Sequence, residues 1–385
     1  MQNEQCSRKR YKEMKEVKGS YAAAKIFTDQ VEPYALAQLQ MICDNEVSRG
    51  SVIRVMPDVH PGKVGTIGLT MTVGDRILPN LVGADIGCGV TAAVIKKQKV
   101  DGAKLDKVIR ERIPSGFSVR SRAHRFFDRF DLNDLLCAHH INKEKAAASL
   151  GTLGGGNHFI EVDQDPNGRL YVVIHSGSRR LGQEVTEYYL REGQRKLKRE
   201  GKEVPYELTY LEGDMMEGYL HDLQIVQRYA ALNRETILDD LMKGMKWKEE
   251  ERISCIHNYI EETEKCRILR KGAISARKGE KVLIPVNMKD GILLGMGKGN
   301  SDWNFSAPHG AGRRMNREMV KQQFTVSEFK KQMKGIYTTC IGKETLDEAP
   351  FAYRSLDNIS RTIADTVEIQ EVLVPIYNFK AGGKD

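Results

Sequence analysis

The irregular alternation of strand-like and helix-like segments constrains the fold of this chain most strongly. Runs of alternating or β-branched apolar residues predict strands, and apolar residues at helical spacing predict helices. The predicted strands are 51–56, 68–73, 90–96, 170–175, 252–260, 281–286 and 371–376, and the predicted helices are 34–47, 103–112, 181–200, 214–243, 325–333 and 356–368. This uneven spacing is typical neither of a barrel nor of a Rossmann fold. It favours one large α+β domain over residues 1–385.

Composition narrows the class of protein. Of 385 residues, 40% are hydrophobic and 29% are charged, which provides for a large core and excludes a disordered chain. No apolar run approaches the ~18 residues that a membrane helix needs. The N-terminus, MQNEQCSRKRYKEMKEVK, lacks the apolar stretch of a secretory signal. We therefore expect a cytoplasmic protein with no membrane partner.

Charge and cysteine usage add two further constraints. The 60 Lys and Arg residues against 52 Asp and Glu give a net charge of +8, which permits a polyanionic partner without demanding one. The seven cysteines are scattered and form no CxxC pair, a pattern typical of reduced cytosolic thiols. Basic runs at 8–18, 109–129 and 313–334 fit an RNA path, although a solvated face explains each run taken singly.

Glycine is concentrated in clusters that also contain His, Asp, Asn or Arg. These clusters lie at 56–63, 83–89, 154–161, 174–182 and 308–317. Because glycine lets the backbone bend and approach a ligand closely, we treat these clusters as the candidate functional segments.

A metal site is one interpretation of the second to fourth clusters. Cys88 follows Asp85 by three residues, and a thiolate, a carboxylate and imidazoles together suit a borderline divalent metal. His158 and His175 each adjoin a predicted strand end, and His257 lies near the end of another strand. The alternative is a buried cysteine in a tight turn, with histidines that each serve the core. Spacing alone leaves open whether these side chains converge.

The fifth cluster suggests phosphoryl chemistry. His309 lies in a Gly-rich turn, and Arg313 and Arg317 follow at i+4 and i+8. If a helix begins near Ala311, both arginines share the face below the histidine, where they match phosphate oxygens. A histidine so placed is suited to attack phosphorus. The alternative is a basic helix N-terminus with a capping histidine.

In order along the chain, these motifs resemble the RtcB family of GTP-dependent RNA-splicing and repair ligases. The resemblance spans nearly the whole chain, from a PDVH turn at 57–60 to Lys380. The motifs that carry it are PDVH, GADIGCGV, LGTLGGGNHFIE, HSGSRRLG, QRYAALNR (227–234), the pair His257-Asn258, RKGAISA (270–276), HGAGRRMNR and DEAPFAYR (347–354).

The resemblance implies a fold and a metal centre. The fold would be a single domain with mixed or antiparallel β-sheets, flanked by helices, around a deep metal- and nucleotide-binding cleft. Cys88 would bridge a pair of Mn²⁺ ions. Asp85 and His158 would complete one ion's site, and His175 and His257 would complete the other.

It also implies nucleotide and RNA contacts. His309 would attack the α-phosphate of GTP, release pyrophosphate and become guanylylated. The resemblance assigns phosphate contacts to Asn157, Arg179, Arg313 and Arg317, and nucleotide contacts to Glu161, Asn287, Gly310, Ala311, Gly312 and Lys380. Glu161 would accept hydrogen bonds from the guanine edge. The RNA substrates would carry a 2′,3′-cyclic phosphate or a 3′-phosphate on one end and a 5′-hydroxyl on the other. A monomer is expected, and the need for an activating protein partner is left open.

The chain departs from the family pattern at several positions. Where the family has IPGSMG, residues 284–289 read IPVNMK, which replaces glycine by Val286 and by Lys289. Asn316 occupies a position where the family usually has serine, and Arg180 one where it usually has glycine. Two alternative functions therefore stay open: a divergent enzyme that only activates or hydrolyses RNA 3′ ends, and a non-catalytic RNA-binding protein.

Overall fold

The structure is a computed structural model that describes residues 15–96 and 99–381. Residues 1–14 lie outside the described residues. They include Cys6, the first part of the basic run 8–18, and most of the N-terminal segment that was predicted to lack a secretory signal. No helix among the described residues combines the length and the apolar character needed to span a membrane.

The described residues form strands β1 to β17. Their bounds are β1 Lys15–Lys18, β2 Ala23–Ile26, β3 Ile53–His60, β4 Ile67–Val73, β5 Arg76–Ile77, β6 Gly89–Ile95, β7 Phe159–Gln164, β8 Leu170–Ser176, β9 Leu211–Glu212, β10 Glu249–Ile256, β11 Asn258–Glu262, β12 Arg267–Lys271, β13 Ala273–Ser275, β14 Lys281–Asn287, β15 Gly291–Gly297, β16 Ser306–Pro308 and β17 Val367–Lys380.

Helices α1 to α9 connect and flank the strands. Their bounds are α1 Pro33–Cys43, α2 Pro79–Val82, α3 Gly102–Arg112, α4 Lys143–Ser149, α5 Arg179–Arg199, α6 Asp214–Met245, α7 Arg317–Gln323, α8 Val326–Gln332 and α9 Leu356–Thr362. Short 3-10 turns lie at Glu46–Ser48, Arg125–Arg129, Leu132–Asp134, Ala138–His140, Tyr206–Leu208, Ser301–Trp303, Leu346–Glu348 and Pro350–Ala352.

Two large sheets contain most of the strands. The six-stranded sheet has the order β1-β2-β3-β4-β12-β11, and the seven-stranded sheet has the order β10-β6-β8-β7-β17-β15-β14. Of the strand pairs described in these sheets, β2 with β3 is parallel and the others are antiparallel. Two small sheets pair β13 with β16 and β5 with β9. The predicted α+β class with mixed or antiparallel sheets is confirmed, whereas one domain over 1–385 stays a prediction.

The seven-stranded sheet is buried on both faces, which explains its apolar central strands. Along β6, Ala92 and Val94 contact one apolar cluster, which contains residues of β14 and β15. Ala93 and Ile95 contact a second cluster, which contains residues of α3 and α6. Because successive strand residues point to opposite faces, a sheet covered on both faces needs unbroken apolar strands.

Most predicted elements lie within a few residues of those observed, with three differences. The run 252–260 divides at His257 into β10 and β11, which belong to different sheets. Residues 57–60 are not a turn but the end of β3, where the register with β4 jumps between Val55 and His60. The helix predicted at 356–368 ends at Thr362, and Val367 already begins β17.

Two neighbouring residues of α6 fasten the loops at one end of the seven-stranded sheet. The Asn233 amide accepts from the Gly151 and Thr152 N–H groups at 2.7 and 3.2 Å. Its NH₂ group donates to the carbonyls of Thr152 and Gly177, at 3.1 Å in both cases. Since the Asn233 side chain is fully buried, no water replaces these bonds.

Arg234 extends the same set of contacts. Its guanidinium donates to the carbonyls of Gly87 and Ser176 at 2.8 and 2.9 Å, and to the Thr91 hydroxyl at 3.1 Å. One buried side chain thereby joins the loop before β6 to the end of β8.

We expect Asn233→Leu to destabilise the protein by about 2–4 kcal/mol, because it leaves several buried backbone groups without partners. Urea unfolding of the metal-free protein measures this loss. The matched control, Asn133→Leu on the exposed surface, should change the unfolding free energy by less than about 0.5 kcal/mol. Equal unfolding midpoints for the two variants would contradict the role given to Asn233.

Candidate metal and nucleotide site

The antiparallel order β10-β6-β8-β7 brings the predicted metal ligands to one end of the sheet. In antiparallel neighbours, the start of one strand lies beside the end of the next. Gly89 at the start of β6 pairs with Ser176 at the end of β8 and with Ile256 at the end of β10. Phe159 at the start of β7 pairs with His175. Cys88, His158 and His257 adjoin these positions in sequence and His175 is one of them, so these four predicted ligands meet. Asp85 lies three residues before Cys88 in the same loop.

Cys88 lies at the centre of this set. Its Sγ atom is 3.4 Å from His158 Nε2 and 3.3 Å from His175 Nε2. His175 Nε2 is 3.4 Å from His257 Nε2, and His158 Nε2 is 3.1 Å from Asp85 Oδ2. The donor atoms form two triplets that share Cys88, each with its atoms within 4.8 Å of one another: Asp85, Cys88 and His158, and Cys88, His175 and His257.

Backbone contacts orient these side chains. His158 Nδ1 lies 2.9 Å from the Leu153 carbonyl, and His175 Nδ1 lies 3.2 Å from the Asn157 carbonyl. With Nδ1–H donating to a carbonyl, each Nε2 keeps its lone pair for a metal ion. Asp85 Oδ1 accepts from the Ser178 N–H at 3.0 Å. Gly177 is required beside it, because a Cβ atom there would lie 2.1 Å from Asp85 Oδ1.

The chemistry of the donor set fits a divalent cation. With these tautomers, the His158 lone pair faces the Asp85 carboxylate, and a cation between such groups removes the repulsion. Burial keeps the pKa of His175 and of His257 well below the usual value, so both imidazoles are neutral. Burial and then the Asp85 charge raise the pKa of Cys88, whose thiolate a metal would stabilise. Sulfur, nitrogen and oxygen donors together suit a borderline metal.

His309 lies next to this set. Its ring centroid is 4.7 Å from that of His257, and its Nδ1 lies 2.7 Å from Oδ2 of the fully buried Asp58. If Nδ1–H donates to Asp58, the Nε2 lone pair stays available. The condition of a helix beginning near Ala311 is not met: α7 begins only at Arg317, after Asn316 as N-cap. His309 therefore lies in a loop, and not at a helix N-terminus.

The predicted nucleotide residues line one cavity of about 160 Å³. The residues lining it are His60, Asn157, Phe159, Glu161, His175, Pro285, Val286, Asn287, Met288, Gly291, His309, Gly310, Ala311, Gly312, Arg313, Arg317, Glu348, Tyr353, Asn378 and Lys380. All predicted nucleotide contacts are among them. Of the four predicted phosphate contacts, Asn157, Arg313 and Arg317 are present and Arg179 is absent.

A buried carboxylate, which the sequence analysis did not identify, gathers three cations in this cavity. Glu348 contacts Arg313 at 2.7 Å, Lys380 at 2.8 Å and also Arg317. Burial alone would raise the pKa of Glu348, but the charges of Lys380, Arg313 and Arg317 hold it well below the usual value. The cations therefore converge on Glu348 without sharing a helix face. Only the position of Glu348 within the DEAPFAYR motif signalled its importance.

Arg179 lines a second cavity, on the Asp85 side of the ligand set. Its backbone has φ of 56°, a left-handed conformation that is strained for a residue with a side chain. Its guanidinium lies against Gly154, where a Cβ atom would be 1.9 Å from the nearest nitrogen. Because His175 lines the first cavity and Asp85 the second, the ligand set lies between the two.

Several of the residues that depart from the family pattern have local explanations. Asn287 Oδ1 accepts from the Lys289 and Asp290 N–H groups, at 2.9 Å in both cases, so its side chain serves the β14–β15 turn. Lys289 lies outside the nucleotide cavity and donates to Gln332 at 3.2 Å. The Asn316 side chain caps α7. Exposed Arg180 pairs with Glu184 at 2.9 Å.

Two neighbouring carboxyls on β7 lie beneath the nucleotide cavity. Burial raises the pKa of Glu161 to about 7, although hydrogen bonds with Asp163 and Asn378 and the charge of Lys380 act in the opposite direction. Burial, followed by the charge of Glu161, raises the pKa of Asp163 well above its usual value. We infer that protonated Asp163 donates to Glu161 and leaves Glu161 as an acceptor.

The architecture and the ligand set together describe an α+β protein with a two-part candidate metal site. A family model described as tRNA-splicing ligase RtcB matches residues 38–381. This chain belongs to the RtcB family.

The matched relatives cover most of the chain. The RNA-splicing ligase RtcB of Escherichia coli (strain K12) is 30% identical over 357 residues, which span 82% of this chain and 87% of that protein. The tRNA-splicing ligase RtcB of Aeropyrum pernix is 28% identical, spanning 80% of this chain and 83% of that protein. The RNA-splicing ligase RtcB2 of Escherichia coli (strain ATCC 25922) is 27% identical, spanning 86% and 88% respectively.

The carboxyl pair predicts a pH dependence of stability. Both carboxyls bind protons more strongly in the folded chain than in the unfolded one. Proton binding therefore stabilises the fold fully at a pH below the carboxyl pKa of the unfolded chain. This stabilisation is lost as the pH rises through the carboxyl pKa of the folded chain, which is about 7 for Glu161. Asp163→Asn removes one titrating group and keeps a donor for Glu161. Between about pH 5 and pH 8, we expect the unfolding free energy of this variant to fall by about 1–3 kcal/mol less than that of the wild type.

Urea unfolding of metal-free protein at both pH values measures this difference. Asp75→Asn, on the exposed surface, is the matched control and should follow the wild type. The coupling of Asp163 to Glu161 is wrong if Asp163→Asn shows the wild-type pH dependence.

Proposed function

We propose that this chain is an RNA ligase that joins ends with a 2′,3′-cyclic phosphate or 3′-phosphate to ends with a 5′-hydroxyl, in RNA repair or tRNA splicing. Relatives of similar length are named RNA-splicing and tRNA-splicing ligases. The observation that carries the proposal is the position of His309, which is oriented by Asp58 and lies between the ligand set and a cation-lined cavity.

The covalent step belongs to His309. Its Nε2 lone pair attacks the α-phosphorus of GTP, a P–N bond forms, the bond to the β-phosphate oxygen breaks, and pyrophosphate leaves. Asp58, which accepts from Nδ1–H, stabilises the positive charge that develops on the ring. Water attacks the cyclic phosphate, the bond from phosphorus to the 2′-oxygen breaks, and a 3′-phosphate and a 2′-hydroxyl result. An oxygen of the 3′-phosphate then displaces the histidine and takes up GMP. The 5′-hydroxyl attacks this activated end and releases GMP.

Two sites are proposed for Mn²⁺. Asp85, Cys88 and His158 would hold one ion, and Cys88, His175 and His257 would hold the other. When bound, the ions supply Lewis-acid stabilisation of charge on phosphoryl oxygens.

The cavity residues bind and orient GTP. Arg313 and Arg317 offer hydrogen-bond donors to the phosphates. Lys380, the last residue of β17, also lines the cavity and contacts the nucleotide. Asn157 and residues 310–312 line the phosphate region beside His309. Glu161 accepts from the guanine N–H groups, which distinguishes guanine from adenine. Asn287 contributes through its position in the β14–β15 turn rather than through its amide.

The remaining expectations concern the whole protein. We expect one domain over residues 1–385, a monomer, and a cytoplasmic location. An activating protein partner is left open.

The shared thiolate predicts unequal effects of ligand substitutions on metal content. The wild type should bind about two Mn²⁺ ions per chain. Cys88→Ala should lose both ions because both triplets share its sulfur, whereas His257→Ala should retain about one. Native mass spectrometry after removal of free metal gives the count. Cys266→Ala, outside the ligand set, is the control, and equal losses from Cys88→Ala and His257→Ala would argue against a shared ligand.

The nucleophile and its nucleotide are tested by intact-protein mass after incubation with Mn²⁺ and each of the four ribonucleoside triphosphates. We expect a GMP-sized increase with GTP alone, absent in His309→Ala. Asp58→Asn keeps an acceptor but removes the charge, so adduct formation should slow by about 10–100-fold. An adduct with another triphosphate would mean that residues 286–289 have changed specificity. No adduct from metal-loaded wild type would overturn the ligase and favour hydrolysis or RNA binding.

A further inference from the structure

The second cavity has the charge of a site for a polyanion. It has a volume of about 410 Å³ and is lined by Lys63, Lys145, Arg179 and Arg180, with Asp85 as the carboxylate at its inner end. Arg180 is partly neutralised by Glu184. Lys63 and Lys145 are exposed and form no ion pair with any described residue. The cavity therefore offers cations that no structural role accounts for, next to a candidate metal ligand.

A large aromatic side chain is exposed at this cavity. Phe117 lines it with 78% of its surface accessible, and Val119 beside it is 41% exposed. The surrounding loop is nevertheless held in place: the Gly116 N–H donates to Gly154, and the Arg120 N–H donates to Ala148, both at 2.9 Å. Among the described residues, Phe117 belongs to no aromatic pair and to no apolar cluster, and an exposed ring on a fixed loop indicates a contact surface.

The positive surface continues beyond the cavity. Val119 also lines a neighbouring groove, together with Arg112, Arg122 and Glu111, whose carboxylate is paired with Lys107 at 3.8 Å. Within the described part of the chain, neither of these arginines has an ion-pair partner, whereas nearby Arg120 and Arg125 are paired with Asp240 and Asp239. Unpaired cations therefore line both the second cavity and this groove, which share Val119.

We propose that Phe117 is a stacking platform for a base of a single-stranded RNA end, which reaches the ligand set through the second cavity. Aromatic faces interleaved with cations bind single strands without sequence preference, because every base has a π-face and every nucleotide a phosphate. A protein partner fits less well, since Phe117 and Val119 form a small apolar patch within a strongly basic surface. The inference rests on the proposed function and names the surface that its RNA substrate contacts.

The test is fluorescence anisotropy of the full chain, loaded with Mn²⁺ and without GTP, so that no ligation occurs. The probes are two short RNAs of mixed sequence, one ending in a 3′-phosphate and the other in a 5′-hydroxyl. We expect Phe117→Ala to weaken binding of at least one strand by about tenfold. Phe117→Trp should stay within about twofold of the wild type, because it preserves a stacking face. Tyr34→Ala, which removes an aromatic ring that is 62% exposed elsewhere on the surface, should have no effect.

Abasic probes separate stacking from general contact. Each of the three terminal nucleotides is replaced in turn by an abasic one. For the probe that is abasic at one of these positions, Phe117→Ala should not weaken binding further, because the base that stacks on Phe117 is already missing. The proposal is overturned if Phe117→Ala binds both intact strands as the wild type does, or weakens every abasic probe as much as the intact one.

The surrounding charge is tested separately. Lys145→Gln should weaken binding and reduce the slope of log affinity against log salt concentration by about 0.7, the value for one phosphate contact on a single strand. An unchanged slope would exclude Lys145 from the RNA path.

These readouts do not depend on the GMP adduct. If wild-type protein forms no adduct, the proposed ligase fails while anisotropy still decides on Phe117. If the adduct forms but Phe117 has no effect on RNA affinity, the ligase stands and this inference fails.

Discussion

The structure of the site depends on two polar side chains of α6. Asn233 and Arg234 are buried and bond to the backbone around Gly87, Thr152 and Gly177. These loops carry or flank the predicted metal ligands. A buried polar group is stabilising only when it is fully bonded, so the two side chains admit very few loop arrangements. Rigid placement of this kind lets the Cys88 sulfur and the imidazoles of His158 and His175 approach within a few ångströms.

Electrostatic balance distinguishes the two sides of the ligand set. In the nucleotide cavity, buried Glu348 holds Arg313, Arg317 and Lys380 together, so their mutual repulsion is offset before any phosphate arrives. Along the second cavity, which Asp85 also lines, Lys63 and Lys145 form no ion pair with any described residue. The first arrangement suits a pocket that orients one small ligand, and the second suits a long polyanion held largely through its phosphates.

The sequence predicted the α+β class and most of the elements, because apolar periodicity reports directly on burial. It also selected the chemistry: Asp85, Cys88, His158, His175 and His257 all reach one cluster. It failed where the backbone departs from regular periodicity. The division of 252–260 at His257 turns one apparent strand into two, and no helix starts near Ala311, since residues 309–316 form a loop before α7. Asp58, Glu348, Asn233 and Arg234 stood in named motifs without roles, because their partners are distant in sequence.

Residue identity alone therefore determined which kinds of chemistry this protein carries: a soft and a hard ligand with imidazoles, a histidine near arginines, and a mild positive charge. Tertiary structure decided which of these groups act together. Strand order placed His158, His175 and His257 around Cys88, although these four residues range from position 88 to position 257 of the chain. It also separated Arg179 from Arg313 and Arg317 into different cavities. The physical reason is that local sequence fixes periodicity and turns, whereas convergence depends on sheet register and on buried hydrogen bonds between distant segments.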